Sequence, residues 1–149
     1  MYDHKAEFEK LAKIEVKIKD LAKGVSTMQA PAMMRDFILG YDVANTMLAK
    51  AIKEDMRATN KLKEAEGIAY YDEAPHYLAE KGVKDSSEAR KKYLPLDANV
   101  QEAQEKKQKT EALVGLLKGK VQTMRMAHDA VKKMAYSSDY ANNSPFEGL

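Results

Sequence analysis

The longest unbroken rhythm in the chain lies at 98–136. Val100, Ala103, Lys107, Thr110, Val114, Leu117, Val121, Met124, His128, Val131 and Ala135 follow one another at alternating spacings of three and four, and no proline interrupts them. Such spacing draws one stripe along a helix. About 38 residues make a rod of roughly 57 Å at 1.5 Å per residue, about three times the ordinary helix length. A rod this long with so narrow a stripe needs a partner along its length, as in a coiled coil. Leu113 and Leu116 widen the stripe in its middle.

The intrachain partner is the segment 31–80. Met34, Phe37, Tyr41, Ala44, Leu48, Ile52, Met56, Leu62, Ala65 and Ala69 keep a similar rhythm. Pro31 suits the first turn of this helix. Pro75 is expected to break or kink it near Ala74, with "HYLAEKG" resuming for a turn or two before Gly82. Gly40 and Gly67 are interior glycines, each costing roughly 1 kcal/mol relative to alanine. Ahead of this segment, Phe8, Leu11, Ile14, Ile18 and Leu21 mark a helix over 5–23, with Gly24 as its stop. "IEVKIK" also alternates as a strand would, but the surrounding Lys, Glu and Ala favour helix. Between the long helices, "KGVKDSSEARKKYLPLD" predicts a short helix over 86–94. Asp85 or Ser86 caps it, Glu88 completes a capping box, and Pro95 stops it. Asp97 caps the last helix. The fold expected is all-α: a long antiparallel hairpin with an N-terminal helix and a short helix in the connection. It forms a single helical domain over 1–136, followed by a flexible Ser/Asn-rich tail at 137–149.

Composition fits elongated helices. Of 149 residues, 44% are hydrophobic and 32% charged, and there is no Trp. The absence of cysteine removes disulfides, thiolate catalysis and cysteine-ligated zinc. "MYDHKAEFEK" has no apolar core of the kind a secretory signal needs. No run approaches 18 apolar residues. The expectation is a soluble cytoplasmic protein with no membrane span. Net charge is +2; because Asp139 and Glu147 stand unopposed in the tail, the first 136 residues carry +4. That bias is compatible with a polyanion without implying one.

Little catalysis is signalled. There is no phosphate-cradling glycine loop and no nucleophile elbow, and His4, His76 and His128 form no metal-binding pair. His128 falls on the apolar stripe and reads as a packed histidine. Carboxylate neighbours such as Glu64 and Glu66 read as a solvated face. No enzyme, cofactor or metal is expected. The methionines at 33, 34, 47, 56, 124 and 134 read as core or interface filling.

Basic residues gather around the connection: Arg57, Lys61 and Lys63, then Lys81, Lys84, Arg90, Lys91 and Lys92, then Lys106, Lys107 and Lys109. An antiparallel hairpin collects them at one end, with Tyr70, Tyr71, Tyr77 and Tyr93. Cations attract phosphate, and flat rings stack unpaired bases at about 1 to 3 kcal/mol each. The competing reading is an ordinary solvated face over tyrosines that pack the hairpin end.

The order of elements and the segment "GVKDSSEARKKYLPLDANVQEAQ", followed by "LVGLLKGKVQTMRMAHDAVKKM", resemble the UvsY-like recombination mediators encoded by phages. The similarity spans roughly 36–134. It implies a helical protein that assembles with copies of itself and binds single-stranded DNA without sequence preference. It also implies that the protein helps load a recombinase onto DNA covered by a single-strand-binding protein. On this resemblance Lys84, Arg90, Lys91 and Lys92 are phosphate contacts; the remaining basic and tyrosine candidates rest on charge and spacing. Because the segment is only modestly basic, strong binding would depend on several copies acting together. Leu113, Val114, Leu116 and Leu117 are the expected oligomer interface, unless the first helix covers them. The alternative is a coiled-coil interaction module: a scaffold, an assembly chaperone or an inhibitor of a host enzyme.

Overall fold

The computed structural model describes residues 3–142 and the side chains of residues 3–135. Every regular element among the described residues is helical. Helix α1 (Lys5–Lys19) runs into a tight turn, Asp20–Lys23, and ends at Gly24, whose φ of +83° is open to glycine at little cost. Helix α2 (Ala30–Ile68) continues through a π turn (Ala69–Glu73) into α3 (Ala74–Glu80). Helix α4 (Ser87–Tyr93) and a tight turn at Leu94–Leu96 lead into α5 (Ala98–Asn142). The all-α fold expected from the sequence is therefore observed. Helix α5 runs on past the expected end at 136, and the rest of the tail, 143–149, lies outside the described residues.

Near Pro75, where a break or kink is expected, the helix changes geometry without being interrupted. Residues 30–80 form one helical run of 51 residues, because the turn before the proline widens from α to π geometry. A proline clashes with the carbonyl four residues back and offers no N–H. Inserting one extra residue into the turn relieves both problems. At the far end, the chain reverses through Gly82 at φ +65°. Val83 N–H then donates to Leu78 O at 2.9 Å, a glycine-terminated cap.

Where the sequence suggested one domain over 1–136, contacts group the chain into two compact units. Unit 1 is Met1–Lys50 with Leu116–Leu149, and unit 2 is Ala51–Gly115. In unit 1, α1 lies over α2 and α5. Leu11, Phe37, Met47, Leu117, Met124 and Val131 are fully buried there. Lys17 reaches Asp36 at 2.6 Å, and Lys120 reaches Glu15 at 2.6 Å. Gly40 sits where the three helices meet. A Cβ there would fall 2.6 Å from Met124 Sδ and 3.2 Å from Ile14 Cγ2. This glycine, which the sequence shows only as a helix-weakening residue, is the condition for that close approach.

In unit 2 the second half of α2 runs antiparallel to the first half of α5. Asp55 faces Lys107 and Thr110, and further along Ala58 shares a groove with Ala103. The stripe read on α2 drifts from the observed one. Ala44, Ala51 and Ala58 are buried at seven-residue spacing, whereas Ile52 and Met56 are exposed, Met56 by 62%. The seam follows the small residues because they let backbones approach. Ile52 and Met56 are rotated off it. On α5, every stripe position expected from the sequence is buried or half-buried.

Candidate nucleic-acid interface

The basic and tyrosine candidates all lie in unit 2, and the structure divides them into three groups. The first group is structural. The π turn explains Arg90. Ala74 N–H bonds Ala69 O rather than Tyr70 O, and Pro75 has no N–H to offer. Tyr70 O is thus left without its helical donor, and Arg90 Nη1 supplies one at 3.4 Å. The same guanidinium grips Asp85 with two bonds of 2.6 Å and lies 5.4 Å from the centre of the Tyr70 ring. Asp85 raises the pKa of Arg90, and Arg90 holds the Asp85 carboxyl below its usual value. Tyr70 OH meets Ser87 Oγ at 3.0 Å, so α4 is tied to the π turn from both sides. Ser86 is the N-cap, accepting from Ala89 N–H at 3.1 Å. Asp85 is committed to Arg90, and Glu88 turns to Lys92 rather than closing a capping box.

Tyr93 and Lys107 also belong to this structural group. Tyr93 OH donates to Asp97 Oδ2 at 2.9 Å, while Asp97 Oδ1 caps α5 through Asn99 and Val100 N–H. Burial, then the Asp97 carboxylate, push the Tyr93 hydroxyl up to about 12. Its ring lies 4.8 Å from that of Tyr77. Lys107 sits in the α2–α5 seam of unit 2, 3.0 Å from both Asp55 oxygens. The Thr110 hydroxyl adds a 2.7 Å bond, and Thr110 and Lys107 together hold the Asp55 carboxyl below its usual value.

The second group is exposed but lightly paired. Lys92 lies 3.4 Å from Glu88, and Lys106 lies 3.8 Å from Glu102. Exposed pairs one helical turn apart are worth about 0.3–0.5 kcal/mol, so a phosphate can displace them. Lys106 shares a shallow groove of about 170 Å³ with Lys61. The third group is exposed with no ion pair among the described residues: Lys61, Lys63, Lys81, Lys84 and Lys91. Lys81 Nζ lies 5.7 Å from the Tyr77 ring centre. Tyr71, 71% exposed, meets Tyr70 edge to face at 4.9 Å and keeps open ring surface.

Of the four expected interface residues, Leu117 is fully buried within the chain and Leu116 is 53% exposed. Leu113 and Val114 are half-buried. Sequence reasoning missed Asp55, Asp85 and Ser87 as partners. Asp55 could have been found by following the alanine seam. Asp85 bonds across the helix start at five residues from Arg90, a spacing outside the usual helical pairs. No group of three or more His, Asp or Glu able to hold a metal occurs among the described residues, and none of their helices is long and apolar enough to cross a membrane. No family model, curated protein or solved structure matches the chain.

Proposed function

We propose that this protein is a non-enzymatic accessory factor that binds single-stranded DNA without sequence preference, through a surface on unit 2. One observation carries the reading. The Arg90 clamp fixes α4 so that the basic run divides, with Arg90 turned inward and Lys91 and Lys92 turned to solvent. The segment that carries them also carries exposed Lys81 and Lys84, and α4 is tied to the π turn that bears the open ring of Tyr71. Cations beside an open ring are what an unpaired strand requires: charge for phosphate, a flat face for a base.

Unit 2 as a whole has 12 Lys and Arg against 13 Asp and Glu. A balanced unit attracts a polyanion only locally, so affinity would come from several copies along one strand. The resemblance to recombination mediators adds the role of loading a recombinase onto strands covered by a single-strand-binding protein, in the cytoplasm of the host cell if the source is a phage. The test is fluorescence anisotropy with labelled oligo(dT), titrated with salt. Affinity should fall steeply between low and moderate salt. Lys91→Ala with Lys92→Ala should flatten the log–log slope by about 1.4, two contacts at roughly 0.7 each. Absence of binding at low salt refutes the proposal.

The second reading, a protein-interaction module, draws on Ile52 and Met56. They are exposed one turn apart on α2. One stoichiometric protein partner with no DNA binding would favour it.

A further inference from the structure

The charge that unit 2 lacks is in unit 1. Unit 1 has 13 Lys and Arg against 10 Asp and Glu, and two of those acids are Asp139 and Glu147 in the tail. On α5, Lys118, Arg125 and Lys132 recur every seven residues. Seven residues are close to two helical turns, so these three cations project along one line. In the same unit, an open cleft of about 260 Å³ lies between α2 and α5. Buried Phe37 and Met124 form its floor, and Ile38, Tyr41, Arg125 and His128 rise around it. Asp129 also borders the cleft, 3.4 Å from His128 Nδ1, and is the one acid among the described residues that line it. Arg125 is exposed and has no hydrogen-bond or ion-pair partner among the described residues.

The cleft is smaller than the roughly 300–1,000 Å³ of pockets that enclose drug-sized ligands. Its scale is that of one flat ring. It has an apolar floor, an aromatic wall at Tyr41 and a free cation at the rim. We infer that this cleft in unit 1 is a second nucleotide site, which takes one unpaired base against Tyr41 and the adjoining phosphate on Arg125. The inference rests on the single-strand-binding reading and adds to it a site that the clustering of basic residues in the sequence does not indicate. The arrangement also assigns the two surfaces different work. Unit 2 offers scattered cations and one exposed ring, whereas unit 1 offers the net charge and a recess that distinguishes a base from bare backbone.

The test compares labelled oligo(dT) with an abasic oligonucleotide of equal length, using the full chain. Wild type should bind oligo(dT) more tightly, because the abasic strand has the phosphates without the bases. Tyr41→Ala should cut oligo(dT) affinity at least five-fold, the lower end of base–aromatic stacking, and leave abasic affinity unchanged. Tyr41→Phe should retain the preference. Arg125→Gln, at an exposed position, should weaken both ligands and lower the salt slope by about 0.7. It carries the test if circular dichroism shows Tyr41→Ala to be unfolded. Wild type binding neither strand removes the parent reading and this one together. Wild type binding normally, with Arg125→Gln and Tyr41→Ala unchanged and Lys91→Ala/Lys92→Ala impaired, overturns only the second site. Unchanged DNA binding with an altered sedimentation mass for the Tyr41 variant also overturns it, and assigns the cleft to contact between copies.

Discussion

Lys107 offers the sharpest separation of structure from function, because the sequence grouped it with the DNA contacts and the fold places it in a seam. Consider Lys107→Met, which keeps the chain length and removes the ammonium. The Asp55 carboxylate then loses both 3.0 Å bonds and keeps only the Thr110 hydroxyl. About a fifth of each side chain is exposed, 21% for Lys107 and 23% for Asp55. The cost therefore lies above the roughly 0.2–1 kcal/mol of a surface pair and below the roughly 3–5 kcal/mol of breaking a fully buried one. Hydrogen bonds to charged groups suggest about 1.5–3 kcal/mol, or roughly 4–10 °C in Tm for a chain of this size. The loss depends on pH. A carboxylate whose pKa is lowered by folding stabilises the native state above its unfolded value of 3.8. That contribution fades as pH falls through the lower folded value. The gap between wild type and variant should be constant from neutral pH to about 5 and narrow on further acidification. Urea titrations at several pH values measure it. Adding Asp55→Leu should recover most of the loss, since an apolar pair often replaces a desolvated ion pair without cost. The Thr110 hydroxyl retains the carbonyl of Lys107 at 2.9 Å. Oligonucleotide affinity and its salt slope should be those of wild type. A Lys107→Met variant that melts with wild type, or that loses DNA affinity while keeping its Tm, would refute the structural role of Lys107.

Gly40→Ala should lower Tm by a few degrees, because overpacking at about 1–3 kcal/mol outweighs a helix gain of about 1 kcal/mol; Gly119→Ala, with open space around its Cβ, should raise it. Arg90→Ala should speed amide exchange in α4 and around the π turn and leave helix content by circular dichroism nearly unchanged, since it unties α4 from Tyr70 O and Asp85 but leaves the backbone hydrogen bonds of the long helices in place. Ser86→Ala should cost about 1 kcal/mol in urea titration through loss of the N-cap bond.

The seam of α5 was legible because its residues combine rhythm with bulk: Val100, Leu117, Met124 and Val131 stand on schedule and are all buried. The caps at Ser86 and Asp97 and the stops at Gly24 and Gly82 were legible because each is chemically demanded where it stands. The α2 seam was misread for the converse reason. Hydrophobic bulk pointed to Ile52 and Met56, but the packed line runs through Ala51, Asp55 and Ala58, which advertise little in isolation. Asp55 makes sense there only once Lys107, 52 positions away, is known to face it. The π turn was hidden for a similar reason. Pro75 announces trouble for the helix, but the remedy depends on Arg90, which reaches back 20 residues to the carbonyl of Tyr70.

The site follows the same logic. A run of like residues such as Arg90, Lys91 and Lys92 reads as one feature in sequence. On a helix, successive residues point about 100° apart, so at most two of the three can share a face. The one turned inward takes the structural work, and its planar fork suits that work: two parallel bonds to a carboxylate, one to a carbonyl, and a face for an aromatic ring. A lysine there could make one of these contacts at a time. Arginine within a basic run, with an acidic residue near the helix start and a proline-disrupted turn elsewhere in the chain, is therefore better read as a clamp than as a phosphate contact. The lysines beside it are then the ones to test on DNA.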